Sequence, residues 1–233
     1  MYYKLSNNFS IDDIEDFGYL KFKFPDAYQK RLIVDGLQEE VLPVILSENP
    51  GVIDFGIWGL LPQNFKEDRF VFQSTGNTLN THTSTVLSNS YYNEVLLQRR
   101  CCILVSGFFA SYYSNGEVFP IYVYSKKFPV ISLAGIYNLT YDGFITTTVL
   151  LKKSNAYMSK LHNLSKNMPI IIGLENRSNW LNDGYHEIIH NNNDDFEVLQ
   201  MGSHSIAKEF YKNNIIYDTI LEPVQYENLT ISF

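Results

Sequence analysis

Between residues 101 and 153 four runs rich in β-branched and aromatic residues follow one another at short intervals: "CCILVSGFFASYY", "FPIYVYS", "PVISLAGIYN" and "ITTTVLLKK". Side chains of this kind pack well on a pleated surface. The intervening segments are too short to hold a crossover helix, so the strands run mostly antiparallel. "SNGE" (114–117) separates the first two runs and has the Asn-Gly pair that two-residue hairpins favour. A fold built on this stretch is therefore a curled antiparallel sheet or barrel. The chain holds 17 Tyr and 16 Phe, which agrees with such a core.

The rest of the chain supplies flanking elements. "EVLPVILSE" (40–48) and "IDFGIWGLLP" (53–62) read as strands, the second closed by Pro62. "SIDDIEDF" (10–17) reads as a short amphipathic helix with Ser10 as N-cap and Asp12 and Asp13 in its first turn. "NSYYNEVLLQR" (89–99), "NAYMSKLHN" (155–163, capped by Asn155) and "ENRSNWLND" (175–183) also read as helices. "PIIIG" and "EVLQMGSHS" read as strands, and the "IIHNNNDD" region as a loop. No repeat, linker or break in composition divides the chain. The expected fold class is α+β: one domain over residues 1–233, a mostly antiparallel curled sheet or barrel with short peripheral helices.

Charge and composition narrow the function. The net charge of −7 argues against broad phosphate-driven binding of nucleic acid, although it permits a local basic groove. No run of 18 or more apolar residues predicts a membrane span, and "MYYKLSNNFSIDD" lacks the apolar core of a secretory signal. Cys101 and Cys102 are adjacent on an expected strand. Small core residues in a reducing cytoplasm are the simplest account of them. His186, His190 and His204 with Asp194 and Asp195 match no ordinary metal spacing, so neither a metal nor a cofactor is expected. The expected protein is a cytoplasmic monomer.

The order of several motifs resembles the SRAP family, the abasic-site processing proteins, or SOS response-associated peptidases, that shield damaged single-stranded DNA. "WGLLP" (58–62) is similar to the family's Trp-Gly-Leu-Ile-Pro. "LNTHTSTV" (79–86) stands where the family has Asn-Ala-Arg-x-Glu-Thr. "RRCCILVSGFFAS" (99–111) stands in for Arg-Arg-Cys-Leu-x-Pro-x-x-Gly-Phe-Tyr-Glu-Trp. "SLAGIY" (132–137), "SNAYMSKLHNLSKNMPIII" (154–172), "WL" (180–181) and "LEPVQY" (221–226) complete the series.

The resemblance implies a mechanism that this chain lacks in part. In the family, a cysteine at position 2 condenses through its amine and thiol with the aldehyde of an abasic site, forming a thiazolidine. A motif glutamate and a histidine manage protons, and an asparagine and an arginine hold the DNA. Here position 2 is Tyr2, and so bulky a second residue is expected to leave Met1 in place. The motif asparagine is kept as Asn80, but the arginine is His82 and the acidic residue is Ser84. The glutamate is Ala110, and the tryptophan after it is Ser111. The histidine is kept as His162, either as a retained pocket residue or as a helix-end residue bonded to nearby backbone. The arginine before Met-Pro is Asn167.

Three functions follow from the resemblance. The first is binding of single-stranded or abasic DNA, in the DNA damage response, without the crosslinking and autoproteolytic chemistry of the family. Its candidate contacts are Asn80, His82, Trp58, Arg100, Lys153, Lys166 and Asn167. Asn80 serves either the DNA or the turn of its own loop. Trp58 stacks either on a base or in the core. Of Arg99 and Arg100 at most one lines a groove, since strand neighbours point to opposite faces. Lys152, Lys153, Lys160 and Lys166 form the notable basic patch. The second is an inactive relative whose groove holds a protein or a small molecule, consistent with the surplus Tyr and Phe. The third is Schiff-base chemistry on abasic sites through the Met1 amine or Lys4.

Overall fold

A computed structural model describes residues 2–190, 199–212, 216–229 and 231. Its strands are β1 (Lys4–Asn7), β2 (Lys21–Phe22), β3 (Arg31–Asp35), β4 (Val41–Leu46), β5 (Asn49–Trp58), β6 (Asn80–His82) and β7 (Arg100–Val105). They continue as β8 (Gly107–Ser114), β9 (Glu117–Ser125), β10 (Ile131–Leu139), β11 (Ile145–Lys153), β12 (Asn167–Pro169), β13 (Ile171–Ile172) and β14 (Met201–Ser205). The helices are α1 (Ile11–Gly18), α2 (Arg69–Thr75), α3 (Thr83–Ser88), α4 (Ser90–Gln98), α5 (Ala156–Leu161), α6 (Leu174–Leu181) and α7 (Tyr185–His190).

Local signals set several of these elements. Ser10 caps α1 by accepting from the Asp13 N–H, while Asp13 accepts from the Ser10 N–H in return. Asn89 caps α4 and Asn155 caps α5 through their side-chain oxygens. At Asn115 and Gly116 both φ angles are positive, 51° and 84°. That is the condition for the tight hairpin joining β8 to β9.

Two sheets result. One is antiparallel in the order β14-β9-β8-β1-β3. The other runs β12-β11-β10-β7-β4-β5-β2, and its strand β5 also pairs with β11, in parallel, from Gly56 opposite Ile145 to Trp58 opposite Thr147. That pairing closes β4, β5, β11, β10 and β7 into a ring, so the curled sheet is a barrel. β6 pairs in parallel with Val149–Leu151 further along β11.

Strand β7 of the barrel is buried on both faces. Cys101, Ile103 and Val105 of β7 join Leu5, Phe108 and Ile121 of the other sheet in one apolar core. Cys102 and Leu104 turn the other way, to Ile14, Val95 and Trp180 of the covering helices. Burial on both faces explains why β7 reads as an unbroken apolar run rather than an alternation.

Three expectations change. "CCILVSGFFASYY" is not one strand: the chain leaves the barrel after Val105 and enters the other sheet at Gly107. A Cβ at Gly107 would stand 2.5 Å from the Val123 carbonyl oxygen, so the crossing depends on glycine. The strand expected to reach Pro62 ends at Trp58, where Gly59 takes φ +122°. "PIIIG" divides into β12 and β13, which pair with different strands. The "IIHNNNDD" region begins in α7, and its residues 191–195 lie outside the described residues.

Candidate functional site

Tyr2 precedes β1 and is almost wholly buried, with 2% of its surface exposed. Its ring meets Phe108 edge-on at 5.8 Å and His162 edge-on at 5.6 Å. Its hydroxyl donates to the Asn167 carbonyl at 3.0 Å, and its own carbonyl accepts from the Asn80 amide at 2.5 Å. Four residues singled out in the sequence, Tyr2, Asn80, His162 and Asn167, therefore meet in one place. Burial pushes the Tyr2 phenol well above its ordinary value, so it stays protonated and is no nucleophile near neutral pH.

His162 is the C-cap of α5 and 6% exposed. Its Nδ1 lies 2.8 Å from the Ser111 carbonyl, which assigns the proton to Nδ1 and leaves the lone pair on Nε2. The Ser111 N–H also faces Nδ1, at 3.3 Å, but a protonated nitrogen cannot accept from it, so the shorter contact to the carbonyl excludes this one. Burial lowers the His162 pKa, and the Ser111 bond opposes that shift only in part. The ring is a neutral imidazole with one basic nitrogen.

Ala110 lies on β8, fully buried, on the same strand face as Phe108. Ala110 places a methyl group in an apolar core. Two residues that the sequence did not flag brace the cluster. Asn163 bonds both backbone groups of Tyr113, at 2.7 and 2.8 Å, and the Tyr211 hydroxyl donates to Ser111 Oγ at 2.9 Å. Asn163 adjoins the histidine in the quoted motif. Tyr211 is 100 residues from its partner and gave no local signal.

Around this cluster β6, β11 and β12 supply a rim. His82 caps α3, its Nδ1 accepting from the Ser84 N–H at 3.1 Å, and it is half-buried. Lys153, which pairs with Asn167 across β11 and β12, is exposed, as are Lys160 and Lys166. Lys152 is buried and leaves the basic patch, because its side chain points opposite to that of Lys153.

Other expected contacts sit elsewhere. Trp58 is 1% exposed in the barrel core, its Nε1–H donating to the Leu79 carbonyl at 2.8 Å, so it offers no face to a base. Arg100 is buried: its guanidinium donates to the carbonyls of Leu96, Leu97, Trp180 and Leu181 and covers the Tyr185 ring at 4.4 Å. It joins α4, α6 and α7 to the barrel and reaches no groove. The Arg99 Nε–H donates to the Asn138 side chain. Lys4 donates to the Phe210 carbonyl at 2.8 Å, and Met1 lies outside the described residues. Cys101 and Cys102 are free and buried, and burial pushes the Cys101 thiol up to about 12. His186 and His190 stack on α7, whereas His204 lies on β14 and donates to the Leu221 carbonyl; Asp194 and Asp195 lie outside the described residues. Among the described residues no three His, Cys, Asp or Glu side chains converge on one point.

The family model described as SOS response associated peptidase (SRAP) matches residues 21–209. No curated protein matches the chain. A crystal structure of a protein from Bacteroides thetaiotaomicron is similar over 96% of this chain and 100% of its own, with TM-score 0.80 and 20% identity. One from Bordetella bronchiseptica covers 88% of this chain and 99% of its own, with TM-score 0.70 and 12% identity. A phage-related protein from Bordetella bronchiseptica covers 88% and 94%, with TM-score 0.59 and 10% identity. At these identities the likeness is one of fold.

Proposed function

This chain belongs to the SRAP family, and on that premise we propose that it binds single-stranded or abasic DNA in the DNA damage response without forming a covalent crosslink. The observation that carries this reading is the burial of Tyr2 against His162, with Asn80 holding its carbonyl. A thiazolidine needs an amine and a sulfur on neighbouring carbons. Position 2 presents a phenol held in its protonated form, and Ala110 leaves no carboxylate beside it.

What remains suits recognition. His82 and the exposed Lys153 and Lys166 border the cluster, and lysines at a rim attract phosphates by releasing counterions. Asn167, half-buried and paired with Lys153 across the strands, lies at the same edge. With a net charge of −7 such binding is local and salt-sensitive. We place the protein in the cytoplasm, acting as a monomer.

The test is fluorescence anisotropy with a labelled single strand bearing one abasic site, against an intact strand, at low and moderate salt. The expected result is salt-sensitive binding that prefers the abasic strand, with no adduct surviving denaturing electrophoresis. Absence of binding to either strand at low salt would assign this surface to another partner. A borohydride-trapped adduct would assign amine chemistry to the chain instead.

A further inference from the structure

Two exposed tyrosines stand beside the strand segment that holds His162. On β8 the Ser111 carbonyl accepts from His162 Nδ1–H, and Tyr113 lies two residues further along on the same face. Asn163 bonds both backbone groups of Tyr113, which ties that residue to the helix end carrying His162. Tyr113 is 50% exposed. Tyr211 ends the short 3-10 turn Lys208–Tyr211, and its hydroxyl donates to Ser111 Oγ at 2.9 Å. It is 41% exposed. A lone exposed ring is ordinary on a protein surface. Here two are tied to the same short stretch of β8 that holds the imidazole.

An unpaired base has a flat π-face that stacks on an aromatic ring whatever the base. In an intact strand or a duplex, neighbouring bases cover those faces. At an abasic position the two flanking bases each lose a neighbour, and the uncovered faces can take a ring. Ser111 and Tyr113 are about 7 Å apart along the strand, at about 3.4 Å per residue. The two flanking bases are two steps apart, also about 7 Å at about 3.4 Å per step. The acids on these elements are already paired, Glu117 with Lys208 at 3.1 Å and Glu209 with Lys212 at 3.5 Å. Lys160, exposed in the last turn of α5, adds a cation for a phosphate.

We infer that Tyr113 and Tyr211 stack on the two bases that flank an abasic position, and that this contact sets the preference for an abasic strand. The inference rests on the reading of the chain as a DNA-binding protein. It adds what the surface recognises: uncovered base faces in a single strand, with little regard to sequence. Both residues are tied in place beforehand, which lowers the ordering cost of stacking.

The test uses labelled thymidine strands and fluorescence anisotropy on the full chain. One strand is intact, one carries a single tetrahydrofuran abasic analogue, and one carries three in a row, which removes the flanking bases. The parent is expected to bind the single-abasic strand most tightly and to lose about tenfold when the flanking bases go, the scale of stacking a base on a ring. Tyr113→Ala and Tyr211→Ala should each lose about tenfold on the single-abasic strand and discriminate less among the three. The salt slope should not change, since a ring releases no counterion. Tyr113→Phe keeps the ring and should restore what Tyr113→Ala loses. The hydrogen bonds of Tyr113 are made by its backbone, so Tyr113→Ala decides the matter where the Tyr211 variant does not fold. Parent binding that neither variant weakens, or flanking bases whose removal costs the parent nothing, would overturn the stacking and leave DNA binding standing. A parent that binds none of the strands at low salt would overturn both.

Discussion

At one end of β11, Lys153 pairs with Asn167 and Tyr2 lies packed against His162; at the other, Phe144 leads into the strand and Arg69 keeps two buried N–H groups without an acceptor. From Ile145 to Leu151 the strand covers about 20 Å, at about 3.3 Å per residue. At the Tyr2 end the chain supplies its own partners. The phenol, the Tyr2 carbonyl and the imidazole Nδ1 all bond within the fold, and among the described residues nearby the Asn80 oxygen and the Ser154 hydroxyl are left over. At the Arg69 end the chain leaves a charged edge unmet. The family's motifs mark the first region and pass over the second, so unmet hydrogen-bonding groups do not follow motif density.

Stability separates the two regions most sharply. Tyr2→Ala removes a buried ring and should cost about 3 kcal/mol, read as a lower urea midpoint at unchanged slope. A cost below about 0.5 kcal/mol, the usual range of surface changes, would mean that the ring is not packed as described. Next in size is the rim. Lys153→Gln with Lys166→Gln should weaken binding of a single strand about tenfold and lower the salt slope by roughly 1.4, at about 0.7 per lysine. An unchanged slope would remove these lysines from the interface.

The pH dependence of the Tyr2 end is smaller. The folded pKa of His162 lies below its unfolded value of 6.5. The folded state therefore binds fewer protons than the unfolded chain as acid is added. Stability is unaffected well above pH 6.5 and falls as the pH drops through that value. His162→Gln should flatten the decline between pH 7.5 and 5.5 by up to about 1 kcal/mol, since one pH unit per proton is worth about 1.4. Denaturant midpoints at the two pH values decide it. The smallest effect belongs to the other end. Arg69→Leu exchanges an unmet cation for an apolar side chain and should leave stability within about 0.5 kcal/mol of the parent, or raise it. A loss above 2 kcal/mol would reveal an acceptor for the guanidinium and end the contrast.

The features legible in the sequence were local or carried by motifs. Ser10, Asn89 and Asn155 announce their helices because a cap acts within three residues, and Asn115-Gly116 announces a hairpin through its own dihedrals. The meeting of Tyr2, Asn80, His162 and Asn167 was legible only through the family resemblance, since nothing in their spacing brings them together. Trp58 and Arg100 misled for a physical reason: residues that suit a base or a phosphate also suit a core carbonyl, and burial decides between them. The break after Val105 and the parallel closure of β5 on β11 depend on partners far along the chain. Arg69 stands in the polar stretch "QNFKEDRF", where nothing suggests that two of its nitrogens end up sealed from solvent.

The bond from the Tyr2 hydroxyl to Asn167 joins residues 165 positions apart. Ribosomes add about 5–20 residues per second, so the partners that enclose Tyr2 do not exist until roughly 10–30 s after it is made. For that interval the ring of Tyr2 has no core to enter. Its burial waits on the pace of translation, and folding of the β12 segment completes it.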